Sequence, residues 1–174
     1  MGKELNGLDL SQLQEVLEAI HAEPEKVKSH QWTSRVGWLG GFKFKAFTKH
    51  HAFIVDEPAN LGGAGEGPNS VEYVLGALGT CLATGFVLNA TKRGIQLDNL
   101  EVALEGQIDN ILTFLGLSEE GHSGYREVIA RLYVSTDADA EMIGEIWEQT
   151  LKTSPVGNTL ARSVAIKPEL SVIR

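Results

Sequence analysis

DEPANLGGAGEGPNSVEYVLGALGTCLATGFVLNATKRG, residues 56–94, is the stretch from which the fold is read. Its first part is a glycine-rich connection, and its second part carries no charge from Tyr73 to Ala90. The uncharged run predicts a helix over 70–92. Asn69 and Glu72 form a capping-box variant at its start, and Arg93-Gly94 supplies the glycine that a helix C-terminus favours. A membrane span needs about 20 predominantly apolar residues. Gly76, Gly79, Thr80, Thr84, Gly85 and Asn89 dilute this one. It reads instead as the central helix of a soluble protein, buried on nearly all sides. The preceding connection is long for a compact domain, and Gly62, Gly63, Gly65 and Gly67 make ordering it entropically costly. It is therefore expected to be mobile and to gate access to the helix. As a phosphate loop it fits neither GxxxxGK[ST] nor a GxGxxG directly after a strand, and Glu66 would repel the anion.

On the N-terminal side, Leu10, Leu13, Val16, Leu17 and Ile20 recur at helical spacing. They predict an amphipathic helix over 9–22, capped by Asp9 with Gln12 and stopped by Pro24. Strands follow at 27–38, 42–47 and 52–56. In the second of these, Phe42, Phe44 and Ala46 alternate with Lys43, Lys45 and Phe47. On the C-terminal side, alternation predicts a strand at 97–109 and another where Val128, Ala130, Leu132 and Val134 share a face. Residues 111–117 suggest one helical turn. A helix at 138–152 carries Met142, Ile143, Ile146, Trp147 and Leu151 on its apolar stripe and ends at Ser154-Pro155. An edge strand holding Pro168 is expected at 164–172. The order α-βββ-α-ββ-α-β groups its strands, which favours α+β over a doubly wound sheet. Two parts are expected: an N-terminal helical extension, 1–26, and a main domain, 27–174.

The chain has 174 residues, 43% hydrophobic and 22% charged, enough to bury a core without staples. With 23 acidic and 15 basic residues its net charge is −8. That disfavours both nucleic acid and anionic membrane as partners. No basic n-region with an apolar run opens the sequence, and position 6 is Asn6, so Gly2 is no myristoylation signal. A cytoplasmic location is expected. Cys81 is the single cysteine, which excludes an intrachain disulfide, CxxC redox chemistry and multi-cysteine zinc sites. His21, His30, His50, His51 and His122 make no HxxxH or HExxH spacing, and there is no GxSxG elbow. No metal and no cofactor are expected.

Cys81 is the first candidate for chemistry. Either it is a small buried hydrophobe, or it is a reactive thiol that needs a cation, a base or a helix N-terminus. It lies too deep in its own helix for the dipole's positive end. Glu72 falls roughly on the opposite helix face, about 13 Å along the axis. It is a capping residue or, with help from elsewhere, a catalytic carboxylate.

DEPANLGGAGEGPNSVEYVLGALGTCLA (56–83), LDNLEVALEG (97–106) and TSPVGNTLARSVAI (153–166) resemble the loop-helix, strand and later segment of the OsmC/Ohr superfamily. The resemblance implies an OsmC-like α+β fold, with antiparallel-rich sheets around a long buried central helix in an intertwined homodimer whose cysteines lie at the subunit interface. It also implies thiol-dependent reduction of hydroperoxides, or of related electrophiles, in an oxidative stress response. Cys81 matches the peroxidatic cysteine. Ser154 occupies the resolving position and would face the Cys81 sulfur. Arg35 matches the family's arginine, and Glu72 its glutamate after a one-residue shift. Without a resolving cysteine, an external thiol would complete the peroxidase cycle. The alternatives are a non-enzymatic redox sensor or binder of a small apolar ligand, and an interaction protein in which Cys81 is inert core.

Overall fold

The structure is a computed structural model that describes residues 3–28 and 31–173. It is an α+β fold with antiparallel sheets. The chain opens with a hairpin, β1 (Glu4–Leu5) and β2 (Leu8–Asp9), turning at Asn6 and Gly7 with φ of 54° and 75°. Asn-Gly is the pair that this tight turn favours, because both positions need positive φ. Helix α1 (Leu10–Ala22) follows, with the Asp9 carboxylate accepting from the amides of Ser11 and Gln12. Pro24 then opens a short 3-10 turn, Pro24–Lys26.

Strands β3 (Arg35–Gly40), β4 (Lys43–Thr48) and β5 (His51–Val55) form one sheet in that order, antiparallel throughout. The first is shorter than its sequence suggests. Residues 27, 28 and 31–34 pair with nothing that would make them strand, and Ser29 and His30 lie outside the described residues. Helix α2 (Ser70–Lys92) has the expected bounds. Strands β6 (Asn99–Ile108) and β7 (Tyr125–Ser135) pair antiparallel, joined through the single turn α3 (Ile111–Phe114). Helix α4 (Ala140–Thr153) runs into a second helix, α5 (Pro155–Ala161). Pro155 therefore starts a helix instead of only ending one, as its missing N–H allows at the first helical position.

The core lies where α2, α4 and the β6–β7 sheet meet. Phe86, Ala90 and Ile146 are fully buried, with Leu100, Leu132, Val134 and Trp147 packed around them. Phe86 meets Trp147 edge-on, with ring centroids 6.4 Å apart. The buried residues of α2 include Leu78, Leu82, Phe86 and Ala90, one stripe at four-residue spacing. Only 17% of its apolar stretch is buried in the chain. The expected burial on nearly all sides is thus one-sided here, because β6, α4 and α5 cover one face. By length and composition α2 is also the one helix, among the described residues, that would suit a membrane.

Two expectations change. Residues 164–172 form no strand. Their backbone has no ladder partner, and Val164, Ile166, Leu170 and Val172 stand exposed. The glycine-rich connection is pinned instead of free. Asp56, only 2% exposed, accepts from the amides of Glu57, Ala64 and Glu66 at 2.9–3.1 Å. Lys43 pairs with Glu66, and Gly63 sits so tightly on the Glu57 carbonyl that no side chain fits there.

Candidate functional site

Cys81 lies half-buried on α2, one turn from the buried Leu78 and adjacent to Leu82. The same stripe that packs into the core therefore fixes its position. Its Sγ is 3.3 Å from the Ser154 Oγ, and either atom can be the donor. Ser154 is 4% exposed and occupies the α4–α5 junction. Its hydroxyl oxygen caps α5 by accepting from the Gly157 amide at 3.0 Å, a local side-chain-to-backbone bond of the kind serine favours at helix starts. Its carbonyl accepts from the Asn158 amide at 2.9 Å and from the Asn158 side chain at 2.8 Å. The serine is therefore clamped from both sides. The Gly157 amide uses an oxygen lone pair, which leaves the hydroxyl proton free to point at sulfur.

Such a pair can do two things. It can bury a thiol quietly, or it can offer a thiolate a hydrogen-bond donor in an apolar setting. The other candidates lie elsewhere in the chain. Arg35 opens β3, opposite Phe47, and is exposed. Glu72 closes the capping box: the Glu72 amide donates to Asn69 at 2.9 Å, and the Asn69 amide donates to the Glu72 carboxylate at 2.8 Å. Glu72 also faces Tyr125, whose phenol is pushed up by burial first and by the Glu72 charge second. That phenol donates to the Val71 carbonyl at 2.8 Å. Among the described residues, no hydrogen bond or ion pair brings Arg35 or Glu72 to Cys81. No group of three or more His, Cys, Asp or Glu suited to a metal occurs among them either.

Two functional-looking residues were not anticipated from sequence. Asp56 organises the loop before α2, and its carboxyl is held below the ordinary range. The Glu66 amide contributes most, burial opposes, and the Ala64 and Glu57 amides and Lys43 add to the lowering. Asn6 clips the N-terminal hairpin onto the end of α2. Its side chain donates to the Thr91 hydroxyl and the Ile95 carbonyl and accepts from the Leu97 amide, at 2.8–3.0 Å. The Asn6-Gly7 pair between Leu5 and Leu8 is a hairpin signal in the sequence. Nothing in the sequence marks the destination of the Asn6 side chain.

This α+β chain, with one long apolar helix and a cysteine midway along it, matches a known family. The model for OsmC-like proteins matches residues 63–169, well over half of the chain, and the chain belongs to that family. No curated protein matches the sequence significantly. Among solved structures, an OsmC-like protein from Mycoplasma pneumoniae is 18% identical with a TM-score of 0.65, covering 77% of this chain and 89% of that one. An organic hydroperoxide resistance protein, OsmC, from Legionella pneumophila is 13% identical with a TM-score of 0.59, covering 77% and 91%. One from Elizabethkingia anophelis is 16% identical with a TM-score of 0.54, covering 75% and 88%. At these identities the likeness is one of fold.

Proposed function

We propose that the protein reduces hydroperoxides through Cys81, as part of an oxidative stress defence, with an external thiol as reductant. The observation that carries this reading is the 3.3 Å approach of Cys81 Sγ to Ser154 Oγ in the chain of an OsmC-like protein. Structural relatives named as organic hydroperoxide resistance proteins add support. The Cys81 thiolate attacks the distal peroxide oxygen. The O–O bond breaks, the alkoxide takes a proton and leaves as an alcohol, and Cys81 carries a sulfenic acid. Ser154 has no thiol to displace the hydroxyl group from sulfur. An outside thiolate attacks that sulfur instead and water departs. A second thiol then releases Cys81 and leaves as the external disulfide.

The working unit is a homodimer. On this reading a second copy covers the exposed side of α2 at Ala77, Thr80 and Thr84, next to the sulfur. It also gives residues 164–172 a neighbouring strand, and it supplies Arg35 to the partner's thiol. Sedimentation should show a dimer, and a folded monomer at micromolar concentration would sink this part.

The chemistry is tested with an organic hydroperoxide and excess dithiol. Many turnovers per Cys81, abolished by Cys81→Ser, are expected. Consumption of one equivalent would favour a stoichiometric sensor, and no consumption would leave Cys81 as core.

A further inference from the structure

We propose that Asn158 is a positioning residue for the chemistry of Cys81: it fixes the corner from which the Ser154 hydroxyl meets the sulfur. The inference rests on the Cys81 reading above and adds to it a residue of α5 that acts through Ser154.

The corner is one residue wide. Helix α4 ends at Thr153 and α5 begins at Pro155, and Ser154 between them is extended, with φ of −63° and ψ of 119°. A residue has only two soft backbone dihedrals, so small changes in these two swing α5 against α4 and carry the Ser154 side chain with them. A helix also leaves its last four carbonyls without intrahelical partners. Asn158 answers both problems. Its side-chain amide donates to the Lys152 carbonyl, in the last turn of α4, at 3.0 Å, and to the Ser154 carbonyl at 2.8 Å. Its backbone amide donates to the same Ser154 carbonyl at 2.9 Å, as the first hydrogen bond of α5. Among the described residues, no other side chain of α5 hydrogen-bonds to α4.

The hydroxyl has little room to correct an error in this corner. A side chain on Gly157 would lie 3.1 Å from the Ser154 Oγ, 3.2 Å from its Cβ and 3.8 Å from the Leu78 Cδ1. The first turn of α5 is thus packed between Ser154 and the buried stripe of α2 that carries Cys81. The 3.3 Å approach of Oγ to Sγ is inherited from where the corner stands. Hydrogen bonds weaken steeply with misalignment, so a loosened corner weakens this one. Every contact in the series lies within one chain and needs no second copy.

The test uses the full chain. Cys81 is its single thiol, so alkylation by iodoacetamide reads that residue alone, across pH and without peroxide. Asn158→Ala should slow alkylation near neutral pH about threefold and move its pH profile to higher pH, as Ser154→Ala should. In the Ser154→Ala background it should slow alkylation no further, because the group it acts through is gone. Asn158→Ser guards against a fold lost in the alanine variant. Its hydroxyl can reach the Ser154 carbonyl but not that of Lys152, and it should fall between the parent and Asn158→Ala. A lowered Tm with an unchanged pH profile would make Asn158 a structural residue only and overturn the proposal. Equal slowing with and without the Ser154 hydroxyl would overturn it too. Coupling between positions 154 and 158 without turnover of an organic hydroperoxide would uphold the positioning role and sink the peroxidase reading alone.

Discussion

The two ends of α2 have unlike surroundings. Its C-terminal half, from Leu82 to Thr91, lies in a closed region where β6, β7 and α4 surround Phe86 and Ala90. Its N-terminal half meets the β3–β5 sheet chiefly through Tyr73, which stacks on Phe53 at 4.6 Å and donates to the Ile54 carbonyl at 2.7 Å. The rest of that sheet's apolar face, including Val36, Phe44 and Val55, borders an open cavity of about 410 Å³. One half of the chain has thus completed its core, and the other presents half of one. The sulfur of Cys81 lies at the boundary between them.

The largest expected effect is in the closed half. Phe86→Ala should cost about 3–5 kcal/mol, because the ring is fully buried and its neighbours cannot collapse into the gap. Urea unfolding measures this. The counterpart is Val36→Ala, at a residue 63% exposed. In an isolated chain it should change stability within about 0.5 kcal/mol. In a dimer the loss should grow and should depend on protein concentration. A concentration-independent, negligible change would break the comparison by showing that the open half is truly solvent-facing.

Next is Asp56, which braces the open half. Its folded-state pKa lies below the ordinary 3.8, chiefly through the Glu66 amide. The stabilisation is therefore complete above the unfolded value and is lost as pH falls through the lower, folded one. Asp56→Asn should lower Tm by several degrees near neutral pH, and the gap to the parent should narrow only as pH falls below the ordinary 3.8 and through the lower, folded-state value. A gap that persists unchanged in acid would show that shape, and not charge, holds the loop.

Asn6→Ala probes a third boundary, between the N-terminal hairpin and the closed core. It removes three hydrogen bonds and leaves the Leu97 amide and Ile95 carbonyl without their partner. A loss of about 1–3 kcal/mol is expected. It should be accompanied by faster amide exchange in α1, since no residue of that helix is buried and the clip is what orients it. Unchanged exchange would mean α1 is held by its own packing.

The same division governs what the sequence reveals. In the closed half, alternation at Val128, Ala130, Leu132 and Val134 and the helical stripe Met142, Ile143, Ile146 and Trp147 are local patterns with local consequences, and the elements form where those patterns lie. In the open half, the pattern states a face without stating what covers it. Residues 164–172 alternate like a strand, yet a strand exists only where a neighbour offers its amides and carbonyls. The glycines at 62–67 speak for mobility, but Asp56, an unremarkable acid at a strand's end, reverses that through contacts no spacing rule encodes. Cys81 and Ser154 are legible as candidates from the family resemblance. Their 3.3 Å approach needs the α4–α5 corner, and the sequence signals only that α4 ends there.

The smallest effect on stability, and the sharpest on chemistry, is expected at that corner. Ser154→Ala removes an N-cap and should cost about 1 kcal/mol. It also removes the one side-chain group among the described residues that is hydrogen-bonded to the Cys81 sulfur, so oxidation of Cys81 by an organic hydroperoxide should slow about fivefold. Ser154→Cys keeps the shape and replaces the hydroxyl with a thiol. The existing Sγ–Oγ separation is 3.3 Å, and a disulfide of about 2.05 Å requires the two Cα atoms within about 7 Å of each other, so the crosslink reads out that geometry. Peroxide should then drive the Cys81 sulfenic acid to a disulfide with loss of water, where the parent protein should stop at sulfenic acid and over-oxidise. Peptide mapping distinguishes these products. A crosslink between positions 81 and 154, formed only after peroxide, would place a reactive sulfur at the boundary between the two halves. Separate thiols, or separate over-oxidised cysteines, would show that the close approach serves only to cap α5 and fill the core.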